Sequence, residues 1–207
     1  CALPISGIRH FEVSFPLNDA FDPLAWLGAQ QCYPQFYWQQ RNGDEELAAL
    51  GAVIPFSSLA LATQFLREQN AAGDTRICGL NAFTPEQGSL FLPRLLWRRT
   101  AGTATLRLQL WSDYSLQEDA LAARDFLEQL RPARSIRPLS VQIEHETHQP
   151  QQAEWLTLIR RATETIARGD FEKVVLARAT DIRFTQRVNP VALMAASRDR
   201  KSTRLNS

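Results

Sequence analysis

One kind of side chain in the body of this sequence could act as an amine base. Of the 23 basic residues, 21 are arginine and two are lysine, Lys173 and Lys201. A guanidinium group does not lose its proton in a protein, so only a lysine could accept one. Lys201 lies near the end of the sequence, in a stretch poor in large apolar residues. Lys173 is therefore the candidate base.

Lys173 lies in the segment FEKVVLAR, residues 171–178, whose apolar run is typical of a buried strand. By strand alternation the lysine shares a face with Phe171, Val175 and Ala177, so we expect its amine to lie in an apolar layer. Burial disfavours the charged amine and lowers its pKa from about 10.4 towards neutrality, which suits a general base. A lysine near a strand end can instead extend its amine to water, and on composition alone this interpretation is the commoner one.

A second group of side chains that could do chemistry is His145, Glu146 and His148, in the sequence HETH. The zinc-hydrolase motif needs two histidines four residues apart on a helix, whereas these two are three apart in a connector flanked by prolines. We therefore interpret them as solvated linker residues. Glycine-rich nucleotide-binding loops are absent from the sequence, which disfavours nucleoside-triphosphate chemistry.

Composition narrows the class of protein further. The 207 residues are 44% hydrophobic and 22% charged, as in ordinary folded globular proteins. The net charge of +1, with both signs interspersed, argues against nucleic acid or an anionic membrane as the main partner. Three widely spaced cysteines predict neither a disulfide framework nor a zinc site, and no apolar stretch reaches the length of a membrane span. We expect a cytoplasmic protein.

Hydrophobic periodicity and capping residues predict an α+β protein. Helix starts are indicated by Asp22 before Pro23, by Ser57 or Ser58, and by Ser115. Further helices are expected over residues 151–168, which carry an apolar stripe at helical spacing, and over residues 190–197. The predicted strands are residues 36–38, 47–54, 76–83, 90–98, 104–111, 139–143 and 171–178.

Two local patterns predict how the strands are arranged. Asn42 and Gly43 form the strongest short hairpin signal, which predicts that residues 36–38 and 47–54 pair, although residues 45–50 also have good helix propensity. In residues 104–111 leucines alternate with polar residues, among them Arg107 and Gln109. This alternation predicts a strand whose polar face lies in water.

Four stretches resemble one enzyme family. They are YPQFYWQQRNGDEE at 33–46, GLNAF at 79–83, LPRLLWRR at 92–99 and EKVVLARATD at 172–181. Together they resemble the menaquinone-specific isochorismate synthases of enteric bacteria, which belong to the chorismate-utilising enzymes. The resemblance runs from about Gly7 to about Arg198. It implies the antiparallel-rich chorismate-binding fold, in which two stacked sheets are flanked by helices.

The resemblance also implies a reaction. In that family water adds at ring carbon 2 of chorismate while the hydroxyl group at carbon 4 leaves. A lysine in the KVVLAR strand activates the water, a glutamate further along protonates the leaving group, and Mg²⁺ held by carboxylates binds the substrate. Carried over, Lys173 is the general base. Sibling enzymes that use ammonia typically carry glutamine at this position, so Lys173 favours water as the nucleophile.

The resemblance implies that part of the machinery lies elsewhere. The acidic glutamate and the Mg²⁺ ligands are expected in a C-terminal portion that these 207 residues do not contain. We therefore expect the chain alone to bind no Mg²⁺ and to be inactive. Residues 1–149 are expected to form an N-terminal α+β part, residues 150–197 the start of the catalytic region, and residues 198–207 an unrelated or disordered tail.

Two alternatives to an isochorismate synthase of menaquinone synthesis stay open. The first is an isochorismate synthase of a siderophore pathway, or another chorismate-utilising enzyme. The second belongs to a different class and is a non-catalytic fragment that binds a partner through the sheet surface of residues 76–111. In each enzymatic reading chorismate is the small-molecule substrate.

Overall fold

The computed structural model describes residues 6–17, 21–69, 75–84 and 86–204, with side chains described as far as Arg198. The chain divides into two compact units, unit 1 (Cys1–Ile136) and unit 2 (Arg137–Ser207). This division falls before the boundary expected after residue 149. Both units mix helices with antiparallel strands, which confirms the predicted α+β class.

Unit 1 is built on a six-stranded antiparallel sheet. Its strands are β1 (Gly7–Pro16), β2 (Gln35–Gln39), β3 (Glu45–Phe56), β4 (Cys78–Asn81), β5 (Gly88–Thr100) and β6 (Thr103–Ser112). The order across the sheet is β1-β6-β5-β3-β2, and β4 pairs with β5. The turn at Gly43, whose φ is +81°, joins β2 to β3 and confirms the predicted hairpin.

The helices of unit 1 begin where the capping residues predict. They are α1 (Pro23–Ala29), α2 (Leu59–Glu68) and α3 (Leu116–Glu128). The side chains of Asp22, Ser58 and Ser115 each accept a hydrogen bond from a backbone N–H in the first turn of the helix that follows. These short polar side chains satisfy donors that the helix itself leaves unpaired.

The core of unit 1 packs helices onto the sheet. One cluster joins Leu27 of α1 to Ala48, Leu50 and Trp97 of the sheet, with Phe126 of α3 against it. A second cluster places Ala62 of α2 against β3 and β5, through Phe56 and Leu92. Leu50 and Leu92 are fully buried. The central strands of the sheet are therefore well covered by residues of unit 1.

The prediction of a wet polar face on β6 is wrong. Arg107 and Gln109 are both buried, with Gln109 only 1% exposed. The guanidinium group of Arg107 lies 2.7 Å from the carboxylate of Glu12 on β1, and Gln109 Nε2 donates to the carbonyl oxygen of Pro93 at 2.8 Å. Because each polar group finds a partner inside the sheet, burial does not leave it unsatisfied. The alternation therefore predicted the strand correctly, but it did not predict whether the polar face lies in water.

Unit 2 is smaller and holds a two-stranded antiparallel sheet. Its elements are β7 (Ile143–Gln149), α4 (Gln152–Ala167), β8 (Ala179–Phe184) and α5 (Pro190–Arg204). Helix α4 confirms the helix predicted over residues 151–168. The strand expected at 139–143 lies instead at Ile143–Gln149, because pairing with β8 selects a polar stretch that local propensity passes over.

The C-terminal helix is longer than the sequence suggests. Helix α5 starts at Pro190, as predicted, but continues through Arg204. It thus includes most of residues 198–207, which we expected to be a tail, while residues 205–207 lie outside the described part of the chain. In the part that the structure describes, every helix is too short or too polar to cross a membrane.

Candidate active site

Lys173 lies in an irregular segment of unit 2, between α4 and β8. Residues 171–178 form no strand and pair with no strand among the described residues, and Lys173 is exposed. Its neighbours Val174 and Val175 are 41% and 81% exposed. The prediction of a buried strand is therefore wrong for this chain, because no other strand lies beside this backbone to cover its apolar run. The amine faces solvent rather than an apolar layer.

The Lys173 segment is nevertheless held at both ends. On the N-terminal side, Gly169 follows the end of α4 with a φ of +83°, and its N–H donates to the carbonyl oxygen of Ile166 at 3.0 Å. On the C-terminal side Arg178 Nε donates to the carbonyl oxygen of Pro150 at 3.1 Å. The next residue begins β8. The ends of the segment are anchored, whereas its middle is not.

The HETH residues lie on β7 and not in an irregular connector. His148 stands directly opposite Thr180 of β8, and its Nδ1 atom lies 2.9 Å from the Thr180 hydroxyl oxygen. His148 Nε2 lies 3.3 Å from Glu146 Oε1. His145 is three residues from His148, an odd number along a strand, so the two imidazoles point to opposite faces of the sheet. They are not placed to bind one metal ion.

The donors present do not fit a magnesium site. Magnesium takes oxygen ligands in octahedral geometry and needs carboxylates that converge on one point. Across residues 6–17, 21–69, 75–84 and 86–204, no three side chains of the His, Cys, Asp or Glu type converge in this way. We therefore derive no step of the chemistry through a metal ion bound to these residues.

A buried charged pair in unit 1 was not predicted from the sequence. Arg94 of β5 binds Asp119 of α3 through two hydrogen bonds, of 2.6 and 2.7 Å, and also donates to the carbonyl oxygen of Gln109. Asp119 accepts a further bond from the backbone N–H of Trp111. The available signal was a single charged residue, Arg94, inside the otherwise uncharged run FLPRLLW at residues 91–97. Such a residue is kept in a sheet core only when it is paired.

Unit 1 also contains a cavity of about 740 Å³ next to this pair. Its walls include Arg94, Arg131, Gln31 and Phe126. Both arginines already hold partners, since Arg94 binds Asp119 and Arg131 Nη2 donates to Gln31 Oε1 at 2.8 Å. The Arg94 charge is therefore balanced by a carboxylate, whereas the Arg131 charge is hydrogen-bonded only to a neutral amide.

The buried thiol of unit 1 is unsuited to nucleophilic chemistry. Burial raises the pKa of Cys78 to about 12, against a smaller lowering by the nearby Arg76 charge. Only a thiolate is an effective nucleophile, so Cys78 stays inert at neutral pH. Lys173, which the sequence predicted as the base, therefore stays the candidate catalytic residue.

Comparison with known proteins identifies the family. Residues 80–205 match the family model described as chorismate binding enzyme. The chain is 55% identical over 192 residues to isochorismate synthase MenF of Escherichia coli (strain K12), covering 93% of this chain and 44% of that protein. It is 31% identical over 159 residues to isochorismate synthase MenF of Pasteurella multocida (strain Pm70), covering 76% of this chain and 35% of the relative.

A solved structure agrees with these matches. The structure of the menaquinone-specific isochorismate synthase MenF from Escherichia coli superposes with a TM-score of 0.83 at 53% identity, over 96% of this chain and 47% of that one. This chain thus spans less than half the length of the relatives it matches. The resemblance inferred from the four sequence stretches is confirmed. The chain belongs to the family of chorismate-binding enzymes.

Proposed function

We propose that the longer protein containing this chain is an isochorismate synthase of menaquinone synthesis, in which Lys173 is the general base. The supporting observation is the 55% identity to the Escherichia coli isochorismate synthase over 93% of the chain. In the proposed reaction chorismate gains a water oxygen at ring carbon 2 and loses the hydroxyl group at carbon 4. One proton leaves the attacking water and one joins the departing hydroxyl.

The part played by this chain is to supply the base. A lysine accepts a proton only in its neutral form, which burial favours because a charged amine is costly to desolvate. In the chain as described, Lys173 is exposed beside the exposed Val174 and Val175. The proposal therefore requires further parts of the longer protein to cover residues 171–178. The apolar run that the sequence places around the lysine supplies the surface for that cover.

Other components follow from the same family relationship. Mg²⁺ and the acid that protonates the leaving hydroxyl are proposed to be held by residues outside this chain, since the described residues bring together no metal-binding group. The proposed substrate is the small molecule chorismate, and the proposed compartment is the cytoplasm. On this proposal the 207 residues by themselves have no activity.

The base assignment is tested by replacing the lysine in the longer protein. We expect Lys173→Gln to lower kcat for isochorismate formation by about 10²- to 10⁴-fold, because a general base contributes about that much to a rate. The measurement is turnover of chorismate with Mg²⁺ present, using purified protein. Lys201→Gln is the matched control, since it removes the other lysine of the chain.

The outcomes separate cleanly. Near-normal turnover by Lys173→Gln would refute the base assignment, and no isochorismate from the unaltered longer protein would refute the activity. The 207-residue chain serves as a further control and is expected to show no turnover. Turnover by that chain alone would contradict the proposed division of the site.

A further inference from the structure

We propose that His148 and Arg178 form a clamp that positions Lys173, an inference that rests on the proposed role of Lys173 as the base. The clamp consists of the Arg178 bond to Pro150 and the His148 contact with Thr180. Neither His148 nor Arg178 is placed among the reacting atoms. Both are positioning residues.

The clamp lies at one end of the β7–β8 ladder, the end at which the segment containing Lys173 enters β8. The last paired residues there are Gln149 and Ala179. The following residue on the β7 side is Pro150, which has no N–H and so cannot donate a further bond to the ladder. Its carbonyl oxygen is instead bound by Arg178 Nε at 3.1 Å. A side chain thus supplies a bond beyond the point where the backbone ladder ends.

The second contact lies one residue inside that end. His148 and Thr180 are directly opposite each other, and their side chains share a hydrogen bond of 2.9 Å. Glu146, two residues away on the same face of β7, lies 3.3 Å from the other ring nitrogen of His148. A carboxylate at that place fixes the orientation of the imidazole towards Thr180, as is common for oriented histidines.

These contacts matter because the ladder itself is weak. A two-stranded sheet is only marginally stable in water. Strands β7 and β8 are also joined by the excursion of residues 150–178, which contains α4, so closing the pair costs more entropy than a tight turn would. Fraying at this end would release Arg178 and lengthen the unanchored stretch around Lys173. The side-chain bonds oppose that fraying.

The expected consequence is a loss of rate and not of substrate binding. A misplaced base weakens only the transition state, so kcat falls while KM is retained. In the longer protein we expect His148→Ala and Arg178→Ala each to lower kcat by about 10-fold, with KM for chorismate within about 2-fold of the unaltered value. Arg178→Lys keeps a donor that can reach the Pro150 carbonyl oxygen and is expected to recover most of the rate.

The chain offers matched control residues towards the other end of the β7–β8 ladder. His145 and Arg183 are opposite each other on β7 and β8 and have the same residue types as the clamp. We expect His145→Ala and Arg183→Ala to leave kcat near normal. A general loss of sheet stability would instead lower the rate in the control and clamp variants alike, and that result would overturn the clamp.

The position of Lys173 can be followed directly by nuclear magnetic resonance, because the chain contains only two lysines. Labelling the 207-residue chain with ¹⁵N-lysine gives backbone amide signals from Lys173 and Lys201 only. Arg178→Ala is expected to move the Lys173 signal and leave the Lys201 signal in place, whereas Arg183→Ala moves neither. An unchanged Lys173 signal in Arg178→Ala would contradict the clamp, whatever the rates show.

The kinetic results distinguish this inference from the proposed function. If Lys173→Gln abolishes turnover while the clamp variants match their controls, Lys173 is the base and the clamp is wrong. If Lys173→Gln retains turnover, the base assignment fails, and the amide signals then decide the clamp by themselves.

Discussion

The two units of the chain bury their apolar residues to very different extents. In unit 1, Leu50 and Leu92 are fully buried between the sheet and its helices. In unit 2, α4 has an equally clear apolar stripe, yet none of its residues is buried, and Leu158 is 41% exposed. An amphipathic helix normally packs its apolar stripe against other residues. The unit that carries the candidate base is therefore the one whose own residues leave it incomplete.

The charged residues show the same contrast. In unit 1 the Arg94–Asp119 pair is bidentate and largely buried, with side chains 10% and 16% exposed. In unit 2 the Arg168–Asp170 pair is exposed, with 3.3 Å between nitrogen and oxygen. A buried pair is costly to break because the remaining charge loses its partner in a poorly solvated place, whereas an exposed charge returns to water. A substitution that removes one member of the pair should therefore lower the free energy of unfolding much more in unit 1 than in unit 2.

The largest expected effect comes from breaking the buried pair. We expect Asp119→Ala to lower the free energy of unfolding by about 3–5 kcal/mol, since it leaves the Arg94 guanidinium without its carboxylate. The matched change in unit 2, Asp170→Ala, is expected to cost less than about 1 kcal/mol. Urea unfolding followed by tryptophan fluorescence and by circular dichroism measures both. Equal costs would contradict the difference in burial between the two pairs.

A second comparison uses one leucine from each unit. Leu50→Ala is expected to destabilise unit 1 by about 2–5 kcal/mol, because it opens a cavity in a packed core. Leu158→Ala in α4 is expected to cost less than about 1 kcal/mol, since much of the side chain is already in water and alanine favours the helix. Hydrogen exchange of amides in β3 and α4 reports each unit separately.

The two leucine substitutions also test whether unit 2 is covered in the longer protein, as the proposed function requires. If further parts of the longer protein cover unit 2, Leu158→Ala should cost more there than in the 207-residue chain. Leu50→Ala should cost about the same in both. A cost at Leu158 that does not rise in the longer protein would argue against burial of α4.

The smallest expected effect is a change with pH in the free energy of unfolding of unit 1. Burial raises the pKa of Cys78 from 9.0 to about 12, so above pH 9 the unfolded thiol loses its proton while the folded thiol keeps it. The folded state binds the proton more tightly, and stability therefore falls as pH rises from 9 to 12. The expected loss between pH 9 and pH 10 is about 1 kcal/mol.

This dependence is checked with Cys78→Ala. The variant lacks the titrating thiol, so the difference in unfolding free energy between the two proteins should narrow as pH rises from 9 to 10. The cysteines of the chain all precede residue 137, so the thiol effect leaves unit 2 unchanged. A constant difference across this range would show that Cys78 does not titrate as its burial requires.

Local signals in the sequence predicted the parts of the fold that depend on near neighbours. The capping side chains of Asp22, Ser58 and Ser115 and the Asn42–Gly43 hairpin were confirmed, since each depends on bonds made within a few residues. The polar face of β6 was assigned to water, but Arg107 and Gln109 are buried. Their partners, Glu12 and Pro93, are distant in sequence, so no local pattern shows them.

The candidate site shows the same limit. The sequence alone determined that Lys173 is one of two lysines, which made it a candidate base, and that its segment is apolar, because composition and residue order are intrinsic to the chain. Only the tertiary structure decided that this segment is exposed here, and that HETH lies on a strand with His148 opposite Thr180. Burial and strand pairing are properties of neighbours, and neighbours are set by the folding of distant residues against one another.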